Sequence, residues 1–404
     1  MMSRTMNEAF PLISLPDGAP ERGFAVSEFE QRVAKAQAGM ANAGFDGLLF
    51  TTEPEIRYFT GFLTRFWLSP TRPWFLLVPA SGNPVAIVPS IGRECFEATW
   101  LDDVRCWDSP QPRDEGIALL ADTLRELPGE KARIGILEGA ETHLRMPLGD
   151  FRRLCASLPS AVFEDATELV RQLRMVKSPA ETAKIAHACA IVSGVFDAFA
   201  EHLSGGMSEI EIFRRFKIAC LEAGIDDVDY LVGGAGPGGY RNIISPPSTR
   251  RVEDGDILML DTGSTFDGYY CDFDRNFAFG HVNEMAARAQ DALIEATEAG
   301  LRAARPGATC AEVFHAMRRV LDKDFPGGSG VGRMGHGLGM QLTEWPSFAA
   351  NDDTVLQPGM VLTLEPSADL PGGKLLVHEE DFLLTPDGPV LLTTPAPAAI
   401  PVIS

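Results

Sequence analysis

The stretch ILMLDTGSTFDGYYCDFDRNFAFG, residues 257–280, decides the fold. Two strand-like runs, at about 257–262 and 269–279, flank a turn around Phe266-Asp267-Gly268. Asp261 and Asp272 lie about equally far from that turn, so a hairpin makes them cross-strand neighbours on one face. Two carboxylates held face to face repel unless a cation or a proton lies between them. A solvated acidic face is the alternative, and the apolar ILML before Asp261 argues against it. Asp274 is two residues past Asp272 and shares its face, whereas Cys271 points to the other side as a small core residue.

Three further segments place ionisable groups in similar surroundings. In GRMGHGLGMQLTEWPS (332–347), His336 sits among glycines, a backbone that allows close approach to a ligand. A lone histidine is more often a hydrogen-bonded structural residue than a metal ligand. In MVLTLEPS (360–367), Glu365 ends a strongly apolar strand; in GKLLVHEEDFLL (373–384), Glu379 and Glu380 interrupt another. An acid inside such a strand is costly unless paired or metal-bound. Strand parity groups Glu380 with His378 and Phe382, and Glu379 with Val377 and Asp381, so only one of the two glutamates faces a common site.

The rest of the chain bounds the answer. Its 404 residues suit two or three domains and bury enough core to fold without a metal, which makes a metal site functional rather than structural. A net charge of −21 argues against nucleic acid and anionic membranes as partners. The seven cysteines are scattered with no C-x-x-C, a pattern of reduced thiols. No signal peptide and no apolar run of membrane length is read, so the expected location is cytoplasmic.

Residues 1–25 are expected to form an arm, 26–170 an α/β domain, and 171–404 an α+β domain. Ser27-x-x-Glu30 predicts a capped helix running to Gly44. Apolar runs at 47–52, 74–80, 84–90 and 133–139 predict a mixed sheet, with helices near 114–127 and 148–157. Ser178-Pro179-Ala180-Glu181 predicts a strong helix start. Helices follow to about 203, then at 208–223, 284–304 and 309–322. Strands near 257–262, 269–279, 360–365 and 374–384 interleave with them.

Asp-x10-Asp, then Gly-His-Gly-Leu-Gly, Leu-Glu-Pro, and Glu-Glu-Asp-Phe-Leu-Leu-Thr-Pro-Asp-Gly together resemble the metallopeptidase family of aminopeptidase P, prolidase, methionine aminopeptidase and creatinase. Arg57-Tyr58-Phe59-Thr60-Gly61-Phe62 and Arg174-Met175-Val176-Lys177-Ser178-Pro179-Ala180-Glu181 are further local matches. The resemblance implies a pita-bread catalytic domain behind a creatinase-like N-terminal α/β domain. It implies Asp261, Asp272, His336, Glu365 and Glu380 as ligands of two divalent ions, with Glu365 also taking a proton. Oxygen and nitrogen ligands without thiolate suit Mn, Co, Fe or Zn. The chemistry implied is hydrolysis by a metal-activated water.

Two histidines of the peptidase members are absent. Ile244 stands seventeen residues before Asp261, and Thr343 seven after His336. Ordinary Xaa-Pro cleavage is therefore expected to be poor, since a leaving amine needs a proton donor. Tyr240, Arg241, Asp274 and His378 are the candidate replacements, with Thr343 at the substrate and Asp274 also a possible extra ligand. The expected substrate is a small molecule or dipeptide cleaved at a C–N bond. A dimethylsulfoniopropionate-lyase-like reaction is the alternative, although Gly263 and Leu342 stand where that branch carries aspartates; a catalytically inactive binding protein is the third reading. The resemblance also implies a homodimer. Arg65 and Trp67, in the aromatic segment FLTRFWLSPTRPWFL (62–76), are the residues expected to border a partner's site.

Overall fold

The computed structural model describes residues 6–16, 18–129, 131–326 and 332–404. The chain divides into two compact units, Glu21–Arg174 and Met1–Pro20 together with Met175–Ser404.

In the first unit, apolar runs form strands β1 (Gly47–Phe50), β2 (Phe75–Pro79), β3 (Val85–Pro89), β4 (Asp103–Trp107), β5 (Arg133–Ile136) and β6 (Val162–Asp165). They make one sheet in the order β4-β3-β2-β1-β5-β6. The pairs β1–β2 and β2–β3 are antiparallel and the others parallel. Leu49, Phe75, Leu77, Ile87 and Ile134 pack with residues of helices Ile117–Leu124 and Leu148–Ser157, which are apolar on one face. The helix Val26–Ala43 ends at Gly44, whose φ of +74° closes the last turn. It begins after Ala25 with no side-chain cap, so the Ser27–Glu30 box lies inside the helix and does not start it.

The second unit holds the remaining strands, namely β7 (Asp227–Pro237), β8 (Asp256–Phe266), β9 (Tyr269–Phe279), β10 (His336–Gly337), β11 (Glu344–Ser347), β12 (Val361–Leu364), β13 (Ser367–Leu370), β14 (Lys374–Val377), β15 (Glu380–Thr385), β16 (Gly388–Leu391) and β17 (Val402–Ile403). One sheet runs β17-β9-β8-β7, a second β11-β10-β12-β15-β16, and β13-β14 form a ribbon. The β8–β9 hairpin turns at Asp267 and Gly268, both with positive φ (48° and 74°), as a two-residue turn matched to strand twist requires. Its register pairs Asp261 with Asp274 and Gly263 with Asp272. Asp272 is therefore the diagonal neighbour of Asp261, not its direct partner; the shared face holds because opposed residues and i±2 positions share a side.

The run expected as one strand over 374–384 is broken. Its first half, β14, pairs with β13; its second half, β15, pairs with β12 and β16 in a different sheet. His378 and Glu379 span the crossing. Strand β7 went unread because its glycines hide the alternation of DVDYLV.

Helix Pro179–Phe199 starts at the expected capping box, with Ser178 and Glu181 capping each other. An 18-residue window within Pro179–His202 has a mean hydropathy of 1.4, so a segment of membrane length and composition does exist, contrary to the sequence reading. It is 56% buried and packs on β8 and β9, as a core helix. The expected arm also packs: Met6 and Phe10 join the core, and the Ile13 amide donates to the Leu391 carbonyl at 2.9 Å. Residues 1–5 and 17 of that segment lie outside the described residues.

Gly335 sets the approach to His336. Its φ is +137°, and a Cβ there would lie 2.2 Å from the Thr363 carbonyl oxygen. Gly335→Ala is expected to cost roughly 1–3 kcal/mol through backbone strain and displacement of β12. Calorimetric melting checks this, and an unchanged Tm would contradict it.

Candidate metal centre

The hairpin supplies Asp261 and Asp272, the glycine-flanked β10 supplies His336, the end of β12 supplies Glu365, and the β14–β15 crossing supplies Glu379. Ligand atoms of Asp272, His336 and Glu379 all lie within 4.8 Å of one another. His336 Nε2 stands 3.5 Å from Asp272 Oδ2 and 3.9 Å from Glu365 Oε1. Its Nδ1 is 2.9 Å from the Gly337 carbonyl oxygen, which fixes the proton on Nδ1 and turns a lone pair on Nε2 toward the carboxylates.

The electrostatics follow from enclosure. Burial lowers His336 to about 4, so the ring is neutral. Burial, then the charges of Asp274, Glu365 and Asp381, pushes Asp261 well above the usual carboxylate range. Asp272 rises for the same reason, with Asp261 the foremost neighbour. Glu379 rises through burial and then Asp272, Glu365 and Asp261. Burial raises Glu365 to about 7, against the opposing charge of Arg333.

Among the described residues four buried carboxylate oxygens have no hydrogen-bond donor: Oδ1 of Asp261, Oδ2 of Asp274, Oε1 of Glu379 and Oδ1 of Asp381. Carboxylates are acceptors only, and buried polar atoms are otherwise almost always paired. Acceptor oxygens around a neutral imidazole form a donor set suited to divalent cations.

Glu379, rather than Glu380, faces this cluster, which corrects the register read from the sequence. Glu380 is held on the other side. It accepts from Arg275 Nη2 at 2.9 Å, from the Ala396 amide at 2.7 Å and from the Thr393 hydroxyl. Strand parity requires only that one of the two glutamates face the cluster; the choice of Glu380 came from the family resemblance, and it is one residue off. Asp274 holds Glu379 in place, since its Oδ1 accepts the Glu379 amide at 2.8 Å.

The profile of metallopeptidase family M24 matches residues 183–386, about half of the chain, and that of the creatinase/prolidase N-terminal domain matches residues 32–176. The chain belongs to metallopeptidase family M24. It is 28% identical to a "probable dipeptidase PepE" of Mycobacterium tuberculosis over 91% of this chain and 95% of that protein. The crystal structure of dipeptidase PepE from Mycobacterium ulcerans superposes with a TM-score of 0.83, at 29% identity, covering 94% of this chain and 99% of that one. A prolidase from Thermococcus sibiricus gives 0.83 at 27% identity, with coverage of 93% and 99%. The fold is thus the α+β pita-bread catalytic domain with a creatinase-like N-terminal α/β domain, and the enzyme is a metal-dependent hydrolase. The cations its carboxylates call for are divalent metal ions.

The M24 site gathers only some of the other residues singled out in the sequence. Tyr240 is buried, and its hydroxyl accepts the Val377 amide at 2.6 Å. Arg241 is exposed, and Thr343 is half-buried beside Glu344. His378, expected at the substrate, turns away: Nδ1 meets the Thr297 hydroxyl at 2.9 Å and Nε2 stands 3.5 Å from Glu380. Trp67 packs inside the first unit, its ring 5.7 Å from that of Trp74 and 6.1 Å from that of Phe62, so it is a core residue there; Arg65 is exposed.

Two neighbours of the cluster were missed. Tyr230 in β7 lies opposite Gly263, on the face of Asp261 and Asp272. Burial, then the charges of Asp261, Asp272, Glu379 and Glu365, raises its phenol, which stays neutral. Alternation along DVDYLV, extended to the hairpin, is the signal that points to it. The other is Arg333, three residues before His336, with Nε 3.7 Å from Glu365 Oε1.

Glu379→Gln is expected to lose bound metal, whereas Glu380→Gln keeps it but melts at a lower temperature through its weakened contact with Arg275. Metal analysis of the two purified variants checks this; the reverse pattern would restore the sequence register.

A second expectation concerns pH. Glu365 and Asp274 titrate at about 7 and Asp381 at about 8, above their unfolded values. The folded metal-free protein therefore holds protons that the unfolded chain has released, so its stability falls as pH rises through those values. His336 and His378 oppose this only below their ordinary value of 6.5. Between pH 6.5 and 8, a window bounded by these values, the metal-free Tm is expected to drop more than the metal-loaded Tm. A metal-free Tm that rises over that interval contradicts the assignment.

Proposed function

We propose that this chain hydrolyses the C–N bond of a dipeptide or a comparably small amide, using two divalent ions held by Asp261, Asp272, His336, Glu365 and Glu379. The observation that carries the reading is the set of unpartnered buried carboxylate oxygens arranged around one neutral imidazole. Mn, Co, Fe and Zn all suit that oxygen and nitrogen set. Bound there, the ions supply a water of lowered pKa and polarise a carbonyl. The dipeptidase and prolidase names of its relatives support a dipeptide.

The protein's own groups divide the remaining work. Glu365, near 7 and with 21% of its side chain exposed, takes the proton of the attacking water. Tyr230, neutral beside the cluster, donates a hydrogen bond to the oxygen on which negative charge develops. Asp274, at about 7 and with one oxygen unpartnered, is the carboxyl that passes a proton to the leaving amine. His336 keeps its proton on Nδ1 and offers Nε2 as a ligand.

Ile244 and Thr343 supply no acid or base. Ile244 is 72% exposed.

Chelation is expected to abolish turnover, and Mn, Co, Fe or Zn to restore it. Xaa-Pro dipeptides are expected to be cleaved roughly 10²–10⁴-fold more slowly than by family members that carry both histidines, the usual cost of losing a positioned acid–base group that Asp274 only partly replaces. A dipeptide panel assayed with and without metal, beside such a family member, checks both statements. Full activity without metal sinks the hydrolase reading, and Xaa-Pro turnover at the rate normal for the family sinks the second statement.

A further inference from the structure

A small polar cavity adjoins the metal cluster. Its volume is about 10 Å³, and Asp274, Asn276, Gln290 and His378 line it together with Pro397, from the segment after β16. Asp274 also acts on Asp261 through its charge, so the cavity lies next to the ligands. Asn276, Gln290 and His378 are 8%, 4% and 1% exposed. Each carries one buried polar atom without a partner: Asn276 Oδ1, Gln290 Oε1 and His378 Nε2. Buried polar atoms are almost always paired. Here three unpaired ones come from three elements around one cavity, namely the β8–β9 hairpin, helix Glu284–Ala303 and the β14–β15 crossing.

The neighbours of these groups decide what they can bind. Asn276 Nδ2 donates to the Val377 carbonyl at 2.7 Å, and Gln290 Nε2 to the Pro397 carbonyl at 3.5 Å. The amide oxygens are therefore the ends left over, and they only accept. His378 Nε2 stands 3.5 Å from Glu380 Oε1, and Nδ1 stands 2.9 Å from the Thr297 hydroxyl. A lone pair on Nε2 would face the carboxylate, whereas an N–H there is attracted to it. Nε2 thus carries the proton, and Nδ1 accepts from Thr297. The cavity offers two acceptors and one donor. A water molecule has two hydrogens and a lone pair, and the volume is about that of one water. A cation fits poorly, because Arg275 and an imidazole N–H share the lining.

We propose that one water molecule fills this cavity, donates to Asn276 Oδ1 and Gln290 Oε1, accepts from His378 Nε2, and thereby helps to aim Glu379. Asp274 Oδ1 holds the Glu379 amide, and the water holds the ring of the residue before it. Partners hydrogen-bonded behind a metal's ligands orient those ligands. The effect on Glu379 rests on its reading as a ligand; the water does not.

Zn-loaded protein, which is diamagnetic, serves for every measurement. A crystal structure fine enough to order buried waters is expected to show one water about 2.7–3.2 Å from all three atoms. An empty cavity, or an ion in it, overturns the proposal. Nitrogen NMR of histidine-labelled protein, with His378 assigned through His378→Gln, is expected to show the Nε2–H tautomer. The Nδ1–H tautomer overturns the hydrogen-bond scheme. Gln290→Met removes one acceptor without touching a ligand. In a dry cavity it deletes an unpaired atom and leaves Tm unchanged or raised. With the water present it breaks a hydrogen bond and is expected to lower Tm by about 2–4 °C. Zn affinity is expected to fall roughly tenfold, the low end for losing such a partner. A Tm that holds or rises overturns the water, and a lower Tm with unchanged Zn affinity overturns its part in aiming Glu379. Failure of wild type to bind Zn overturns the metal reading, while the crystal structure and the tautomer still decide the water.

Discussion

Mutual repulsion among enclosed carboxylates is the constraint on which the catalytic unit depends. Asp261, Asp272, Asp274, Glu365 and Glu379 converge on a single neutral histidine, with little water to screen them. Such an arrangement persists only if each backbone segment is held by contacts elsewhere. The hairpin presents three of the aspartates on one face because its two-residue turn fixes the register. Gly335 lets the strand carrying His336 approach β12 closely enough for the imidazole to meet them.

Around the cluster stands a layer of polar contacts that orients it, and such partners govern a metal site nearly as much as the ligands do. Asp274 accepts the Glu379 amide, and Asp381 accepts the Asp272 amide at 2.9 Å. Arg275 joins Glu380 to the carbonyls of Asp274, Glu379 and Thr394, tying the hairpin to the β14–β15 crossing and to the segment that follows β16. Buried ion pairs of this kind add little net stability, but removing one partner leaves an uncompensated charge. Arg275 and Glu380 act on the site by fixing where Glu379 points.

The sequence was legible where local rules and global fold agree. Alternating strands, the turn around Phe266-Asp267-Gly268 and the Ser178 capping box were read from local rules, whereas the pita-bread fold and the ligand set were implied by the family resemblance. It was not legible where tertiary structure overrides local pattern. Parity correctly allowed only one of Glu379 and Glu380 to face the cluster, but the motif alignment chose the wrong one, in a segment where the chain leaves one sheet and enters another between Val377 and Glu380. Asp272 was paired two residues out of register because the turn centres on Asp267-Gly268 rather than on Phe266-Asp267. His378 was read as a substrate contact and instead serves Thr297 and Glu380, since chemistry alone does not give direction. Tyr230 was missed because the glycines of β7 hide the alternation of DVDYLV, and Arg333 because a lone arginine before a histidine carries no spacing signal.

The account joins one cause to several effects: enclosure raises the carboxyl groups, the raised groups hold protons, and cations must displace those protons to occupy the site. Titrating Mn²⁺ into metal-free protein at pH 7 (a pH near which Glu365 and Asp274 titrate), in buffers of different ionisation enthalpy, measures this exchange most directly. The account predicts binding accompanied by net proton release, diminished together in Glu379→Gln. Binding without proton release, or no binding at all, would contradict it.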